Sequence, residues 1–226
     1  MSETQPTGRA GIAARAFGVL IGGWAITLGL ITAAGLAVTS YGDQLPLLES
    51  EDEVNRDLVG TRTPTWDGVT EVISFAGDTS FVAPAALVVA LLLRFVMHRW
   101  RESLFVAAAV AGHWAVFLTT TMLVDRQRPD VAKLDEAPAT SSFPSGHTGA
   151  ALALYGALAM IAITRIQTRW IKGVAVGVLL SVPVLVAAAR LYRGMHHPSD
   201  LVGSVLSSGL VVLVAYLVVL RGRSER

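Results

Sequence analysis

Three short polar clusters interrupt an otherwise apolar chain: Arg126-Gln127-Arg128-Pro129, Pro144-Ser145-Gly146-His147, and Arg190 followed by His196 and Asp200. Arginine, histidine and aspartate beside hydrocarbon are costly unless they pair or take part in chemistry, so such groups mark function. Their types fit a phosphate. Phosphoryl transfer asks a protein chiefly to position the group and neutralise its oxygens, which guanidinium forks and aligned backbone N–H groups do well. Arg128 and Arg190 supply forks. Ser145 and Gly146 immediately precede an apolar helix, whose unpaired N–H groups and positive dipole end make an anion site. Ser145 serves there as N-cap, phosphate donor or both, and Gly146 admits a ligand close to the backbone.

A histidine can attack phosphorus if a neighbour holds its tautomer and stabilises the developing charge. His196 and Asp200 have suitable spacing. With a helix starting near Pro198, a position proline tolerates, Asp200 falls in the first turn and can reach back to the imidazole. His147 comes from a different helix end and serves as general acid, opposite the nucleophile, as in-line displacement requires. The scheme calls for no metal and no cofactor.

The elements that must hold these groups are membrane helices. Of 226 residues, 53% are hydrophobic and 15% charged, against roughly 25% charged in an ordinary soluble domain. The net charge of +1 lacks the clustered basic face of a nucleic-acid binder. With no cysteine, disulfides and thiolate metal sites are excluded. Windows of about 20 residues, the length that crosses a hydrocarbon core, give six helical spans: Gly11 to Thr39, Phe81 to Met97, Ser103 to Leu123, Thr148 to Thr164, Trp170 to Ala189 and Leu201 to Leu220. The first exceeds the roughly 7–15-residue apolar region of a cleavable signal and reads as a retained helix. The expected fold is an all-α bundle of six transmembrane helices, forming a single domain over residues 1–226.

Basic residues set the orientation. Arg9 and Arg15 lie at the start of span one, Arg94, Arg99 and Arg101 at the junction of spans two and three, Arg165, Arg169 and Lys172 at the junction of four and five, and Arg221, Arg223 and Arg226 follow six. Both termini are therefore expected in the cytoplasm. All three polar clusters then face outward, beside the acidic run Glu49-Ser50-Glu51-Asp52-Glu53, which reads as a solvated loop. In the first outer loop Val69, Val72, Ile73 and Ala76 recur at helical spacing near Trp66, which suits an interfacial helix or a covering loop with one amphipathic turn. Asp78 at the outer break before span two either lines the site or caps a turn, the turn being the favoured reading, and His113 reads as a hydrogen-bonded interior residue. Arg126 and Arg193 share the outer side without a defined role.

The clusters together resemble the type 2 phosphatidic acid phosphatase (lipid phosphate phosphatase) superfamily, which includes the vanadium haloperoxidases. That family's motifs are Lys, six residues, Arg-Pro; then Pro-Ser-Gly-His; then Ser-Arg, five residues, His, three residues, Asp. The chain has Arg128-Pro129, Pro144 to His147 in full, and Arg190, His196 and Asp200 at the matching intervals, over a motif-bearing core of about residues 100–215. The resemblance implies His196 as nucleophile rather than His197, Asp200 as its partner, His147 as acid, and Arg128, Ser145, Gly146 and Arg190 as phosphate ligands. Two positions depart: Thr121 stands where the family has lysine, and Ala189 where it has serine. Arg126 is a candidate to replace the missing cation. The implied activity is a metal-independent lipid phosphate phosphatase at the outer face of a plasma membrane. A polyprenyl pyrophosphate such as undecaprenyl pyrophosphate is the first choice of substrate, with phosphatidylglycerol phosphate or phosphatidic acid as alternatives. A lipid phosphotransferase is a second reading, and an anion or lipid transporter a third. No residue pattern specifies an oligomeric state.

Overall fold

The computed structural model describes residues 8–44, 48 and 50–221. Glu49, Arg223 and Arg226, used above in the charge pattern, lie outside that set. Helix α1 (Arg9–Tyr41) is followed by a short 3-10 turn and two short helices, α2 (Glu51–Gly60) and α3 (Pro64–Phe75). Then come α4 (Thr79–Met97), α5 (Arg101–Leu123), α6 (Gly146–Arg165), α7 (Arg169–Tyr192) and α8 (Pro198–Ala215), the last continuing as a π turn to Arg221. Among the described residues, six helices are long and apolar enough to cross a membrane, and they fall on the six spans read from the sequence.

Local chemistry sets the boundaries. Thr63 caps α3, with Pro64 in the first turn, and Asp78 caps α4 by accepting from the Ser80 N–H at 2.7 Å. Ser145 caps α6 by accepting from the Thr148 N–H at 3.4 Å. Gly194, at φ 72°, lies in the turn between α7 and α8, a left-handed conformation that favours glycine just past a helix end. Glu51, Asp52 and Glu53 occupy the first turn of α2, where acids suit the helix dipole.

The core lies on α6, where Ala150, Ala153, Leu154 and Ala157 are buried against Phe105, Val106 and Ala109 of α5 and Val212 and Ala215 of α8. Small side chains let these helices approach closely, which matters in lipid because dispersion and hydrogen bonding must hold them. Large side chains such as Leu92, Phe95, Val178 and Val184 face outward, as a lipid-facing surface would. At the end of the bundle remote from the polar clusters, fully buried Glu102 pairs with Arg99 at 2.8 Å and Arg165 at 2.6 Å, tying α5 to α6.

The first outer loop holds two helices where one interfacial helix was expected. In α3, Trp66, Val69, Val72 and Phe75 are exposed, while Thr70 and Ser74 are buried. Trp66, Val69 and Val72 therefore face away from the bundle while Phe75 borders the cavity, and the small polar residues meet arginines on α7 and at its end.

Phe143, 1% exposed, is wedged between α1 and α8. A Cβ on Gly35 would stand 2.6 Å from its ring, and one on Gly203 would stand 2.4 Å from it. Gly209 on the same helix has open space around it. Gly203→Ala is expected to destabilise the protein by about 1–3 kcal/mol through overpacking, whereas Gly209→Ala, with the same gain in helix propensity, should not. Thermal unfolding in detergent compares them, and equal midpoints would show that the ring yields freely.

Candidate active site

The site begins at the fully buried carboxylate of Asp200, in the first turn of α8. Its Oδ2 accepts from the His197 backbone N–H at 2.8 Å and from Ser142 Oγ at 2.9 Å. Its Oδ1 accepts from Arg126 Nη1. Arg126 also donates to Ser199 Oγ at 2.6 Å and to Glu51 Oε2 at 2.8 Å. Glu51 in turn accepts from the Ser199 backbone N–H at 2.6 Å. Glu51 is 5% exposed, so the acidic run is not wholly a solvated loop: its third residue closes a buried charge chain.

His196 is buried in front of this chain. Its Nδ1 lies 2.9 Å from the Ser142 carbonyl oxygen and 3.6 Å from Asp200 Oδ2. The carbonyl is an acceptor only, so Nδ1 carries the hydrogen and Nε2 the lone pair. Asp200 thus orients the imidazole chiefly through Ser142, a residue outside the motifs read from sequence. Burial pushes the His196 pKa below its ordinary value; Asp200 opposes this, and Arg190 and Arg128 add to it. The neutral imidazole is favoured, so this group's contribution to stability is present above pH about 6.5 and is lost as pH falls through the lowered folded value. His197 also borders Asp200, its Nδ1 3.5 Å from Oδ2, but its Nε2 lies 3.3 Å from Asp52 and its ring is not in the cavity wall beside His196.

A cavity of about 480 Å³ opens beside His196, with Arg128, Gly146, His147 and Arg190 also in its wall. Arg128 donates to the Met195 carbonyl at 2.8 Å, and its buried Nε has no partner among the described residues. Burial lowers its pKa from the ordinary arginine value, against the pull of Asp200. Arg190 donates from Nη1 to Ser74 Oγ at 2.9 Å and Asp135 Oδ2 at 2.7 Å, and its Nε is likewise buried without a partner. Arg193 also binds Asp135, with Nε 2.9 Å from Oδ2, and is otherwise committed to Thr70 and backbone carbonyls. Burial works to raise the Asp135 pKa, but hydrogen bonds from Arg193 and the charges of Arg190 and Arg193 outweigh it and hold a carboxylate there. His147 Nε2 lies 3.2 Å from Asp78 Oδ2.

Two expectations are corrected. Arg126 does not line the cavity: its guanidinium is spent on Asp200, Ser199 and Glu51 behind His196, so it does not stand in for the lysine absent at Thr121. Thr121 bonds the Leu118 carbonyl of its own helix and does not reach the cavity either. Ser145 is fully buried, with its hydroxyl engaged by Thr148 at the start of α6, so it acts as cap and its hydroxyl does not face the cavity. Beneath the cavity His113 bonds Ser208 Oγ at 3.0 Å and stacks on Phe117. Among the described residues, no group of three His, Cys, Asp or Glu side chains is arranged to hold a metal ion.

Two histidines, a buried carboxylate and two arginines at one end of an apolar six-helix bundle define a class of helical membrane protein built to hold an anion. The chain belongs to the PAP2 superfamily, whose family model matches residues 102–223. It is similar to Phosphatidylglycerophosphatase B of Bacillus subtilis (strain 168), with 28% identity over 177 residues, 73% of this chain and 81% of the relative. It is also similar to Putative undecaprenyl-diphosphatase YbjG of Escherichia coli (strain K12), with 27% identity over 177 residues, 74% of this chain and 83% of the relative. Two other curated relatives match over 89 residues, and the chain spans only 22% and 25% of their lengths. The crystal structure of a transmembrane PAP2 type phosphatidylglycerolphosphate phosphatase from Bacillus subtilis shares the fold, with a TM-score of 0.77 at 21% identity over 89% of this chain and 98% of that one. The chain is thus an integral membrane protein.

The two arginines of the first cluster should separate in their effects. Arg128→Ala is expected to weaken binding of orthovanadate, a phosphate mimic, by at least about tenfold, since a charged hydrogen bond contributes roughly 1.5–3 kcal/mol. Arg126→Ala should instead lower thermal stability by about 3–5 kcal/mol, because it strands buried Asp200. Calorimetric titration and melting curves read the two; tenfold weaker binding in Arg126→Ala at unchanged stability would restore it to the anion site.

Proposed function

We propose that the chain is a lipid phosphate phosphatase, working as one membrane domain and transferring phosphate through a phosphohistidine at His196. The observation that carries this reading is the fixed tautomer: with Nδ1–H donated to Ser142, Nε2 is the nucleophilic nitrogen at a cavity walled by two arginines. Arg128, Arg190 and the Gly146 end of α6 hold the phosphoryl oxygens, neutralising charge that grows in the transition state. Nε2 attacks the terminal phosphorus as its bond to the leaving oxygen breaks, the bridging oxygen of a pyrophosphate or the lipid oxygen of a monoester, and His147 gives that oxygen a proton. Water then gives a proton to His147 and attacks phosphorus, breaking the phosphorus–nitrogen bond, so that His196 and the protonated His147 are restored and inorganic phosphate is released. The apolar wall of Phe75, Trp114 and Phe117 receives the first part of the lipid tail.

A polyprenyl pyrophosphate such as undecaprenyl pyrophosphate is the first choice of substrate, supported by the likeness to the Escherichia coli relative. The likeness to Phosphatidylglycerophosphatase B supports phosphatidylglycerol phosphate as the second. Purified full-length protein in detergent with EDTA is expected to release phosphate from a panel of these lipids and phosphatidic acid, ranked by rate. His196→Ala should lower release on the order of 10³-fold or more; equal rates would overturn the mechanism, and loss of wild-type activity in EDTA would overturn metal independence.

The reading places the protein in the plasma membrane with both termini in the cytoplasm and the site outside, supported by Arg94, Arg99, Arg101, Arg165, Arg169 and Lys172 at the opposite end. The natural chain has no cysteine, so single cysteines report sidedness cleanly. Exposed Asp57→Cys on α2 should react with a membrane-impermeant maleimide on intact cells, and exposed Gln167→Cys only after permeabilisation. The reverse pattern would invert the topology.

A further inference from the structure

His147 has a carboxylate of its own. The turn between α3 and α4 brings Asp78 Oδ2 to 3.2 Å from His147 Nε2, while Oδ1 accepts from the Ser80 N–H at 2.7 Å and from Ser80 Oγ at 2.6 Å. Each oxygen therefore has one task, and the Ser80 bonds fix the direction of the other. Burial works to raise the Asp78 pKa, but the Ser80 bonds and the neighbouring His147 outweigh it, so the group is a carboxylate at neutral pH. The preceding residue explains how the turn comes so close. A Cβ on Gly77 would stand 2.5 Å from the His147 carbonyl oxygen and 2.9 Å from Val186, so only glycine lets this backbone rest on the start of α6.

We propose that Asp78 is a positioning residue for the general acid: it holds the His147 imidazole by Nε2 and stabilises its protonated form, leaving the other ring nitrogen to face the leaving oxygen. This rests on the proposed phosphohistidine mechanism. The site then contains two histidine and carboxylate pairs from separate parts of the chain, Asp200 with His196 behind the nucleophile and Asp78 with His147 behind the acid. An imidazole that must carry and give a proton needs such a partner to fix its orientation and balance its charge.

Leaving-group dependence separates this role from a structural one. A lipid alkoxide departs only with a proton, whereas a nitrophenolate departs without one. Asp78→Asn keeps the helix cap, because asparagine accepts the same N–H bond; Asp78→Ser is the second variant, also a good cap, should the first fail to fold. The full chain is assayed on phosphatidic acid and on a nitrophenyl phosphate bearing a long alkyl tail, comparing kcat/KM, which reports steps through departure of the leaving group. The expected loss with phosphatidic acid is about tenfold or more, within the roughly 10²–10⁴ that an acid contributes, and at least about tenfold larger than the loss with the aryl substrate. His147→Ala should show the same selectivity, and Asp78→Asn should add little to it, as coupled residues do. Equal losses on the two substrates, or an undiminished rate with phosphatidic acid, overturn the role of Asp78. Turnover retained in His196→Ala overturns the phosphohistidine mechanism itself, which separates the two failures.

Discussion

A carboxylate with no exposed surface, Asp200, sets the terms for this end of the protein. An isolated charge in such surroundings is prohibitively costly, and it is tolerated only when countercharge and hydrogen bonds surround it. Arg126 supplies the countercharge, while Ser142 Oγ and the His197 N–H supply the bonds. Glu51 then balances Arg126 from the far side and takes the Ser199 N–H as well. Signs alternate along the chain Asp200, Arg126, Glu51. Because its members come from α8, the long loop before α6 and the start of α2, solving the electrostatic problem of one carboxylate also fixes the relative places of three segments. His196 inherits its orientation from that assembly, through Ser142.

What the sequence made legible follows from how strongly each feature is constrained. Bilayer thickness fixes the length of an apolar run, so the spans from Gly11 and Ser103 were readable to within two residues of the observed helix ends. His147, His196, Arg128 and Arg190 were readable because their spacing is tied to helix ends, and the structure brings them to one cavity. Glu51 was misread and Asp135 missed, while Asp78 is the cap it was read as and in addition sits beside His147. A charged residue in a polar loop looks solvated until its partner is known, and the partner of Glu51 is 75 positions away while that of Asp135 is 55 away. Local pattern carries no trace of such pairings. The same reason defeats Arg126, whose neighbour Arg128 faces the cavity while it faces Asp200. For α3 the period was readable and its direction was not, because in lipid the apolar stripe has no reason to face the protein.

The two ends of the bundle meet opposite demands. At the remote end Glu102 is closed off by Arg99 and Arg165, leaving a clamp between α5 and α6. At the site end the polar groups are only partly satisfied: Arg128 and Arg190 each retain a buried Nε without a partner. Orphaned donors in a low-dielectric wall are costly alone and favourable once an anion arrives. Small residues on α6 let the helices that carry these groups pack closely.

Asp135 bears on how an anion enters. Its carboxylate bridges Arg190 and Arg193, holding Arg190 by Nη1 and balancing part of the positive charge beside the cavity. Arg193 is engaged on every nitrogen and stays with Asp135 whatever Arg190 does. Of the nitrogens of the two guanidinium groups in the cavity wall, Nε of Arg190 and Nε of Arg128 are buried without a hydrogen-bond partner among the described residues. Asp135 thus balances part of the positive charge in the cavity wall, and burial favours the neutral imidazole of His196 beside it.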